Sequence, residues 1–434
     1  MKLTMEKPVY GGECLARVAE AEARKGKAIF VPLTLPGETV TAQVTEERRS
    51  FARAELDQVL TASAERVEPR CPHFGACGGC HYQHADYAAQ LSLKQQILRE
   101  TLTRAGVAIP WQIGLLSGNP WGYRNRIRLA ISAAGEFGYR GRRSHTIVPI
   151  RDCPIAAPAL LEAVRQVASF LSENPSPAPL SELEIFSNPD ETQLLITLFC
   201  QRAPAKEARG WLTAMHAALT PQIAGLRLQH LEGAQSDGAT SPEILAVSGE
   251  TSLSYRAATV PYRVDHGAFF QVNRWLIDDF TSLVIGNLAG KLAWDLFAGV
   301  GLFARQLTHS FDEVLAVESA PASFTALESN LEGTSGRPYG LTTLDFLRRN
   351  RQEREPRPDL IVLDPPRSGL GEETTSLLNA IHASALVYVS CDPATLARDL
   401  HALTHERYRI DSITLVDMFP QTFHMEAVVQ LSRG

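Results

Sequence analysis

Apolar and polar positions alternate through the first sixty or so residues. Ala28-Ile29-Phe30-Val31-Pro32 and Glu38-Thr39-Val40-Thr41-Ala42-Gln43-Val44 flank a turn signal at Pro36-Gly37, and the alternation resumes over 52–60. Short period-two segments with turn signals roughly every 8–12 residues predict a small β-barrel. Later the period lengthens: Leu91, Leu93, Ile97, Leu98 and Leu102 predict a helix over 86–104. Two loops interrupt the middle of the chain, Pro/Ser-rich at 172–182 and Gly/Ser-rich at 232–242, and both read as surface insertions. From about Pro261 onward, strands alternate with helical stretches, which predicts a parallel sheet with crossovers.

Several apolar strands in the last third stop at polar residues. Lys291-Leu-Ala-Trp-Asp295 runs into Leu296-Phe-Ala-Gly299-Val-Gly301, and Glu313-Val-Leu-Ala-Val-Glu318 ends in an acid. Asp359-Leu-Ile-Val-Leu-Asp364 meets Pro365-Pro366-Arg367, and Ala385-Leu-Val-Tyr-Val-Ser390 meets Cys391-Asp392-Pro393. Ligands of doubly wound sheets lie outside the carboxyl ends of the strands, so these residues should converge on one edge. Gly299-Val-Gly301-Leu-Phe-Ala304 satisfies G-x-G-x-x-A, which makes a nicotinamide-dependent oxidoreductase one reading. Asp295 at the preceding strand end suits an adenosylmethionine site better, and Glu318 can hold ribose hydroxyls in either. Asp364-Pro-Pro is a rigid elbow that points its carboxylate into the cleft. Enzymes that methylate amino groups usually carry an aromatic residue after the two prolines, and Arg367 stands there instead. Cys391 at the next strand end suggests covalent activation of the substrate. Such chemistry needs a base, for which Glu426, just before the apolar strand 427–431, is the positional candidate and His424 a rival by residue type. Asp392 beside Cys391 disfavours a thiolate, so activation has to come from elsewhere in the folded site.

The 434 residues suggest about three domains. With 42 Lys+Arg against 48 Asp+Glu the chain carries −6, which argues against a nucleic-acid binder that is cationic throughout. The stretch 121–151 departs from that average. It holds Arg124, Arg126, Arg128, Arg140, Arg142, Arg143 and Arg151 against Glu136 alone, interleaved with Tyr123, Phe137 and Tyr139. Guanidinium forks beside aromatic faces suit phosphate contacts and base stacking, with a solvated strand surface as the alternative. No apolar run reaches the roughly 18 residues of a membrane span. The first ten residues also lack an apolar signal-peptide region, so a cytoplasmic protein is expected.

Seven cysteines make a poor disulfide framework but a plausible metal-plus-thiol inventory. Cys71-x5-Cys77-x2-Cys80 differs from the paired knuckles common in zinc sites and leans toward iron–sulfur, although softness permits both. His73, His81 and His84 read as surface or supporting groups, and Cys14 and Cys200 as packing residues.

Several motifs stand in a telling order: Gly11-Gly12 with Val31-Pro32 and Leu35-Pro36-Gly37-Glu38; the three clustered cysteines with Cys153-Pro154; and Phe269-Phe270-Gln271-Val272-Asn273. Asp295-Leu-Phe-Ala-Gly-Val-Gly301, Asp364-Pro-Pro-Arg-Ser-Gly369, Ser390-Cys391-Asp392-Pro393 and Phe419-Pro-Gln-Thr-Phe-His-Met-Glu426 follow. Over nearly the whole chain this order resembles the RNA uracil-C5 methyltransferases, in the branch with an N-terminal TRAM barrel and an iron–sulfur cluster. The resemblance implies a multidomain α/β protein: an OB-like TRAM β-barrel at 1–65, a central α/β RNA-binding domain with the cluster at 66–262, and a Rossmann-like methyltransferase domain at 263–434. It makes Cys391 the nucleophile and Glu426 the base. Gln271, Phe297, Glu318, Asp345 and Asp364 would line the S-adenosyl-L-methionine site. Cys71, Cys77, Cys80 and Cys153 would hold a 4Fe-4S cluster that fixes the RNA-binding domain, since methyl transfer needs no redox step. Leu302 stands where the family often has Asn or Thr, so a side-chain contact is lost there, and Asp345 sits in a less distinctive context. The expected activity is methylation of one uridine in structured RNA, 23S rRNA first and tRNA as the alternative, by a monomer. A non-catalytic RNA-binding protein is the remaining reading, and intact Cys391, Glu426 and Asp364 count against it.

Overall fold

Period two in the first segment produces six strands: β1 (Lys2–Thr4), β2 (Lys7–Val9), β3 (Glu13–Arg17), β4 (Ala28–Pro32), β5 (Thr39–Glu47) and β6 (Phe51–Thr61). They form one sheet in the order β1-β5-β6-β4-β3-β2, and β1 meets β3 across the core, so the sheet curls on itself. Alternate residues Ile29 and Val31, Val40 and Ala42, and Ala52 and Ala54 fill its interior with Leu3, Met5 and Cys14. The turn expected at Pro36-Gly37 is present, with Gly37 at φ +82°, a region that favours glycine. This computed structural model describes residues 1–17, 27–200, 205–230, 243–352 and 357–434; the loop expected at 232–242 lies outside them.

The expected helix is α1 (Tyr87–Arg104), and Asp86 caps it by accepting from Ala89 N at 2.8 Å. After β7 (Gly114–Leu116) comes a second sheet: β8 (Arg126–Ile131), β9 (Phe137–Arg140), β10 (Ile147–Pro149), α2 (Pro158–Glu173), β11 (Leu180–Ser187), β12 (Leu194–Cys200), α3 (Ala205–Ala218), β13 (Ile223–His230) and β14 (Ile244–Gly249). The ends of the loop expected at 172–182 therefore belong to α2 and β11. The strand order is β10-β9-β8-β11-β12-β13-β14, with β12 and β13 parallel and the other pairs antiparallel. Ile127, Leu129, Leu183 and Ile185 turn inward against Leu160, Val164 and Leu212 of the helices. Arg126 and Arg128 alternate with these residues, so they occupy the opposite face.

Four of the seven arginines in this region are committed to internal ion pairs. Arg126 pairs with Glu184 at 3.8 Å and Arg128 with Glu182 at 2.5 Å, each guanidinium 4.3 Å from an aromatic ring, Phe186 and Phe199 respectively. Arg142 and Arg143 reach Glu55 and Glu13 of the first sheet. The arginine run is thus in part a fastening between the two sheets and in part a brace within the second, rather than a bare cationic surface. Arg140 and Arg151 are exposed.

The hairpin β15 (Ser252–Ala257) and β16 (Val260–Asp265) leads into α4 (Ile277–Ile285), β17 (Gly290–Leu296), α5 (Leu302–Leu307), β18 (Phe311–Val317), α6 (Pro321–Leu331), β19 (Gly336–Tyr339), α7 (Thr343–Gln352), β20 (Leu360–Leu363), α8 (Gly371–Ile381), β21 (Ala385–Ser390), α9 (Pro393–Glu406), β22 (Tyr408–Val416) and β23 (Glu426–Arg433). The sheet order is β19-β18-β17-β20-β21-β23-β22-β7. β17 to β21 pair in parallel, as expected, but β23 lies antiparallel to both neighbours. The edge strand β7 comes from a distant part of the sequence, and α1 packs beside α9 through Ile97, Leu98 and Leu102. Large apolar clusters cover both faces of this sheet. Among the described residues no helix is long and apolar enough to cross a membrane.

One buried charge pins the first sheet. Glu38 is fully buried and accepts from Leu35 N (2.9 Å), Ser63 N (3.2 Å) and both Nε (2.6 Å) and Nη2 (2.8 Å) of Arg66. Burial opposes its charge, but Arg66 and the two amides outweigh it and hold the carboxyl below its ordinary range. Glu38→Ala leaves those donors unpaired and should cost about 3 kcal/mol in denaturant unfolding. Because the folded pKa is depressed, this contribution is complete above the ordinary carboxylate range. It is lost as pH falls through the folded value, so the gap between wild type and variant should close in acid.

Candidate active site

The register of two strands places the central pair. Ser390 at the end of β21 pairs with Ala427 of β23, and the antiparallel course continued by one residue sets Cys391 opposite Glu426. Directly opposed residues have Cβ atoms about 4.5–5.5 Å apart. Asp364 follows β20 on the other flank of β21. Burial first, then Glu426 and Asp364, push the Cys391 thiol up to about 12, against the pull of Arg367. Burial and Asp364 likewise raise the Glu426 carboxyl well above its ordinary value, again opposed by Arg367. Burial raises Asp364 to about 7. The anionic pressure on the thiol therefore comes from these two acids. Asp392, expected to act on it, instead caps α9 by accepting from Ala394 N (2.9 Å) and Thr395 N (3.0 Å).

His424 stands beside Arg367, whose Nη2 lies 3.2 Å from its Nδ1. Burial, Arg367 and His81 lower its pKa to about 3, which makes it a feeble base. A residue not singled out by sequence also reaches this cleft. Tyr10, just after β2, lies near Asp392, and burial together with Asp392 raises its hydroxyl pKa. Its ring packs edge-on against Phe423 at 5.3 Å. Its position before Gly11-Gly12 was the available signal.

The remaining strand ends meet around a second part of the cleft. Buried Gln271 directs Nε2 to Asp364 Oδ2 at 3.5 Å, and its carbonyl accepts from Asn125 Nδ2 at 2.9 Å. Phe297 adopts φ +67°, rare for a residue with a side chain. Glu318 accepts from Gly299 N (2.9 Å) and Ala320 N (2.6 Å). A Cβ at Gly299 would meet nothing within 4 Å, so the backbone here borders open space. Asp295 is fully buried; one oxygen accepts from Ala304 N at 2.8 Å and the other has no hydrogen-bond partner. Burial, with Asp364 and Glu318, raises its pKa to about 7. A dinucleotide pyrophosphate needs the helix amides that follow such a loop. Here one of those amides is taken by Asp295, which disfavours the nicotinamide reading. Asp345 is exposed beyond β19, in a reciprocal cap with Thr342: Oγ1 donates to its carboxylate at 2.8 Å and accepts from its amide at 3.1 Å. The Leu302 side chain is buried, and its carbonyl accepts from Tyr262 Oη at 3.1 Å.

Cys71, Cys77, Cys80 and Cys153 line a single cavity of about 210 Å³, together with His73, Arg124, Tyr139 and His424. All four are free thiols. Burial raises each, Cys80 to about 12 and Cys153 to about 11. Arg124 Nε is buried without a hydrogen-bond partner. Among the described residues no three His, Cys, Asp or Glu side chains form a group able to hold a metal ion. His81 and His84 do not border the cavity; His81 packs on Phe423 at 4.6 Å and His84 sits 3.4 Å from Thr34 O. Cys14 and Cys200 are buried packing residues, as expected.

Arg367 is the cation that opposes the rise in the Cys391 pKa. Removing it should raise that pKa further and lower the thiolate fraction. Alkylation of the Cys391 peptide by iodoacetamide, followed by mass spectrometry near pH 8–9, should be several-fold slower in Arg367→Met, with thermal stability unchanged. An unchanged rate would remove Arg367 from the electrostatics of the thiol.

Comparison with known proteins agrees with this geometry. The TRAM domain family matches residues 2–56, and the tRNA (uracil-5-)-methyltransferase family matches 355–434. The chain is 33% identical to an uncharacterised RNA methyltransferase of Streptomyces coelicolor, over 97% of this chain and 90% of that one. It is also 33% identical to the 23S rRNA (uracil(1939)-C(5))-methyltransferase of Halomonas elongata, over 94% and 85%. A crystal structure of Pyrococcus abyssi tRNA (uracil-54, C5)-methyltransferase with S-adenosyl-L-homocysteine superposes with TM-score 0.78 at 23% identity, covering 99% of this chain and 100% of that one. The chain belongs to the TRAM-containing, adenosylmethionine-dependent RNA (uracil-5-)-methyltransferase family.

Proposed function

We propose that this enzyme methylates C5 of one uridine in 23S rRNA through a covalent adduct between Cys391 and C6. The observation that carries the mechanism is the opposition of Cys391 and Glu426 in a buried cleft. Uracil C5 is a poor nucleophile toward a methyl sulfonium, which is the group S-adenosyl-L-methionine supplies when bound. Cys391 Sγ, as the thiolate formed when its proton is lost to solvent, adds to C6 and the ring π electrons move onto O4, leaving an enolate. C5 then attacks the methyl carbon, and the carbon–sulfur bond of the sulfonium breaks. The Glu426 carboxylate takes the C5 proton, the ring double bond re-forms and the bond from Cys391 to C6 breaks. A carboxylate whose pKa is raised by burial is a stronger base for that step. Gln271, Phe297, Glu318 and Asp364, with Asp345 at the periphery, are the residues that would hold the methyl donor beside the thiol.

The rRNA assignment is supported by relatives above 30% identity that are named for it, whereas the tRNA enzyme is similar at 23%. In this reading 1–65 and 66–262 grip RNA and 263–434 carries the chemistry. What supports a 4Fe-4S cluster is donor type alone, since the side chains are not gathered into a ligand group: four soft ligands and a buried guanidinium border about 210 Å³. Cys71, Cys77, Cys80 and Cys153 would ligate it, and its part would be structural, with no step of the methylation passing through it.

With RNA carrying 5-fluorouridine the base has no C5 proton to remove. A denaturant-stable protein–RNA adduct should therefore accumulate with wild type and disappear in Cys391→Ala. An equal adduct in that variant would sink the nucleophile assignment. Glu426→Gln should lose roughly 10²–10⁴-fold in turnover on ordinary RNA. Anaerobic reconstitution should load about four iron and four sulfide per chain, and Cys153→Ser should reduce both. Nucleoside analysis of 23S rRNA and tRNA from a strain lacking the enzyme decides between the two substrates.

A further inference from the structure

We propose that Lys94 is a positioning residue for Glu426, acting through the loop 417–425 that joins β22 to β23; this rests on Glu426 being the base. Tyr87, Gln90 and Lys94 recur at spacings of three and four along α1, so they share one face of the helix. All three reach that loop. Lys94 Nζ donates to Asp417 Oδ1 at 2.6 Å and to Phe419 O at 3.0 Å, and Tyr87 Oη donates to Asp417 Oδ2 at 2.9 Å. Lys94 and Asp417 are both fully buried. Gln90 Nε2 donates to Gln421 Oε1 at 3.0 Å, while its own oxygen accepts from Gln421 N at 3.0 Å. Gln421 O accepts from His81 N (2.8 Å) and Tyr82 N (3.0 Å), just after Cys80.

Met418 O and Pro420 O are also taken, by Asn273 Nδ2 (3.3 Å) and Tyr123 Oη (3.0 Å). Gln421 is held at φ +70°, a strained value that persists only when its surroundings fix it. Four successive carbonyls of one loop are thus tied to elements outside it. Lys94 supplies the single positive charge in the set. None of the Lys94 contacts goes to β21, which carries Cys391, or to the loops around Asp295 and Glu318.

That separation predicts a split between half-reactions. In Lys94→Met, addition of Cys391 and methyl transfer should survive while proton removal slows, because a displacement of about 1 Å at a catalytic group costs roughly 10²-fold. The test uses ribosomal RNA from a strain lacking the enzyme and adenosylmethionine labelled in the methyl group. Turnover should fall by roughly that factor with the KM for adenosylmethionine unchanged, and a denaturant-stable protein–RNA adduct bearing the label should accumulate. Wild-type turnover overturns the proposal, and so does parallel loss of adduct, cofactor affinity and turnover, which is what a merely structural role gives. Glu426→Gln, run alongside, should accumulate the same labelled adduct. If it does not, the assignment of the base has failed; if it does and Lys94→Met does not, the positioning role alone has failed. Should Lys94→Met lack a cooperative melt, Gln90→Ala removes only neutral bonds to the same loop and is read by the same outcomes.

Discussion

The antiparallel pairing of β23 beside β21 is the constraint on which the site depends. A purely parallel sheet would bring the carboxyl ends of its strands to one edge. The reversed strand instead brings an amino-terminal residue, Glu426, to that edge, opposite Cys391. A thiol and two carboxyls then share one dry cleft, and burial raises the pKa of all three. The reactivity of the cleft depends on Arg367 and on whatever the bound substrates change in the local field.

The first sheet is fastened both to the second sheet and to the edge of the cleft. Tyr10 extends from it to Asp392, while Glu13 and Glu55 receive Arg143 and Arg142 from the second sheet. The net charge of −6 was therefore a blunt guide. It averages over acids that serve as internal partners for arginines and acids that line the cleft, and neither kind reports on the surface seen by a polyanion.

Local features were legible in the sequence. Asp86 is the cap of the helix it was expected to begin, and the strands ending near Asp295, Glu318, Asp364 and Ser390 lie side by side because each apolar run and its polar stop is encoded in a few neighbouring residues. Non-local pairing was not legible. β7 joins β22 across some three hundred residues, and nothing in Gly114-Leu-Leu marks its partner. Asp392 misled for a related reason: proximity to Cys391 in sequence suggested an electrostatic role, but its carboxylate is bound to the amides of the helix it begins. The arginine run misled likewise, since the glutamates that neutralise it come from β3, β6 and β11.

The cysteine cavity and the cleft share a wall. His424 borders the four cysteines and also meets Arg367, and His81, one residue after Cys80, donates its amide to Gln421. Burial holds all four cysteines as thiols, so a metal centre there must displace their protons, and its formation is tied to pH as well as to metal supply. Arg124, buried at the cavity with an unpartnered Nε, favours an anionic occupant and is costly beside neutral thiols. The proposed thiolate-ligated cluster would meet both conditions, since it would replace the protons and supply the negative charge. It would thereby stiffen residues 77–82, on which the loop carrying Glu426 is anchored. On the proposed reading such a cluster would take no part in methyl transfer and would act by fixing the backbone that carries Glu426.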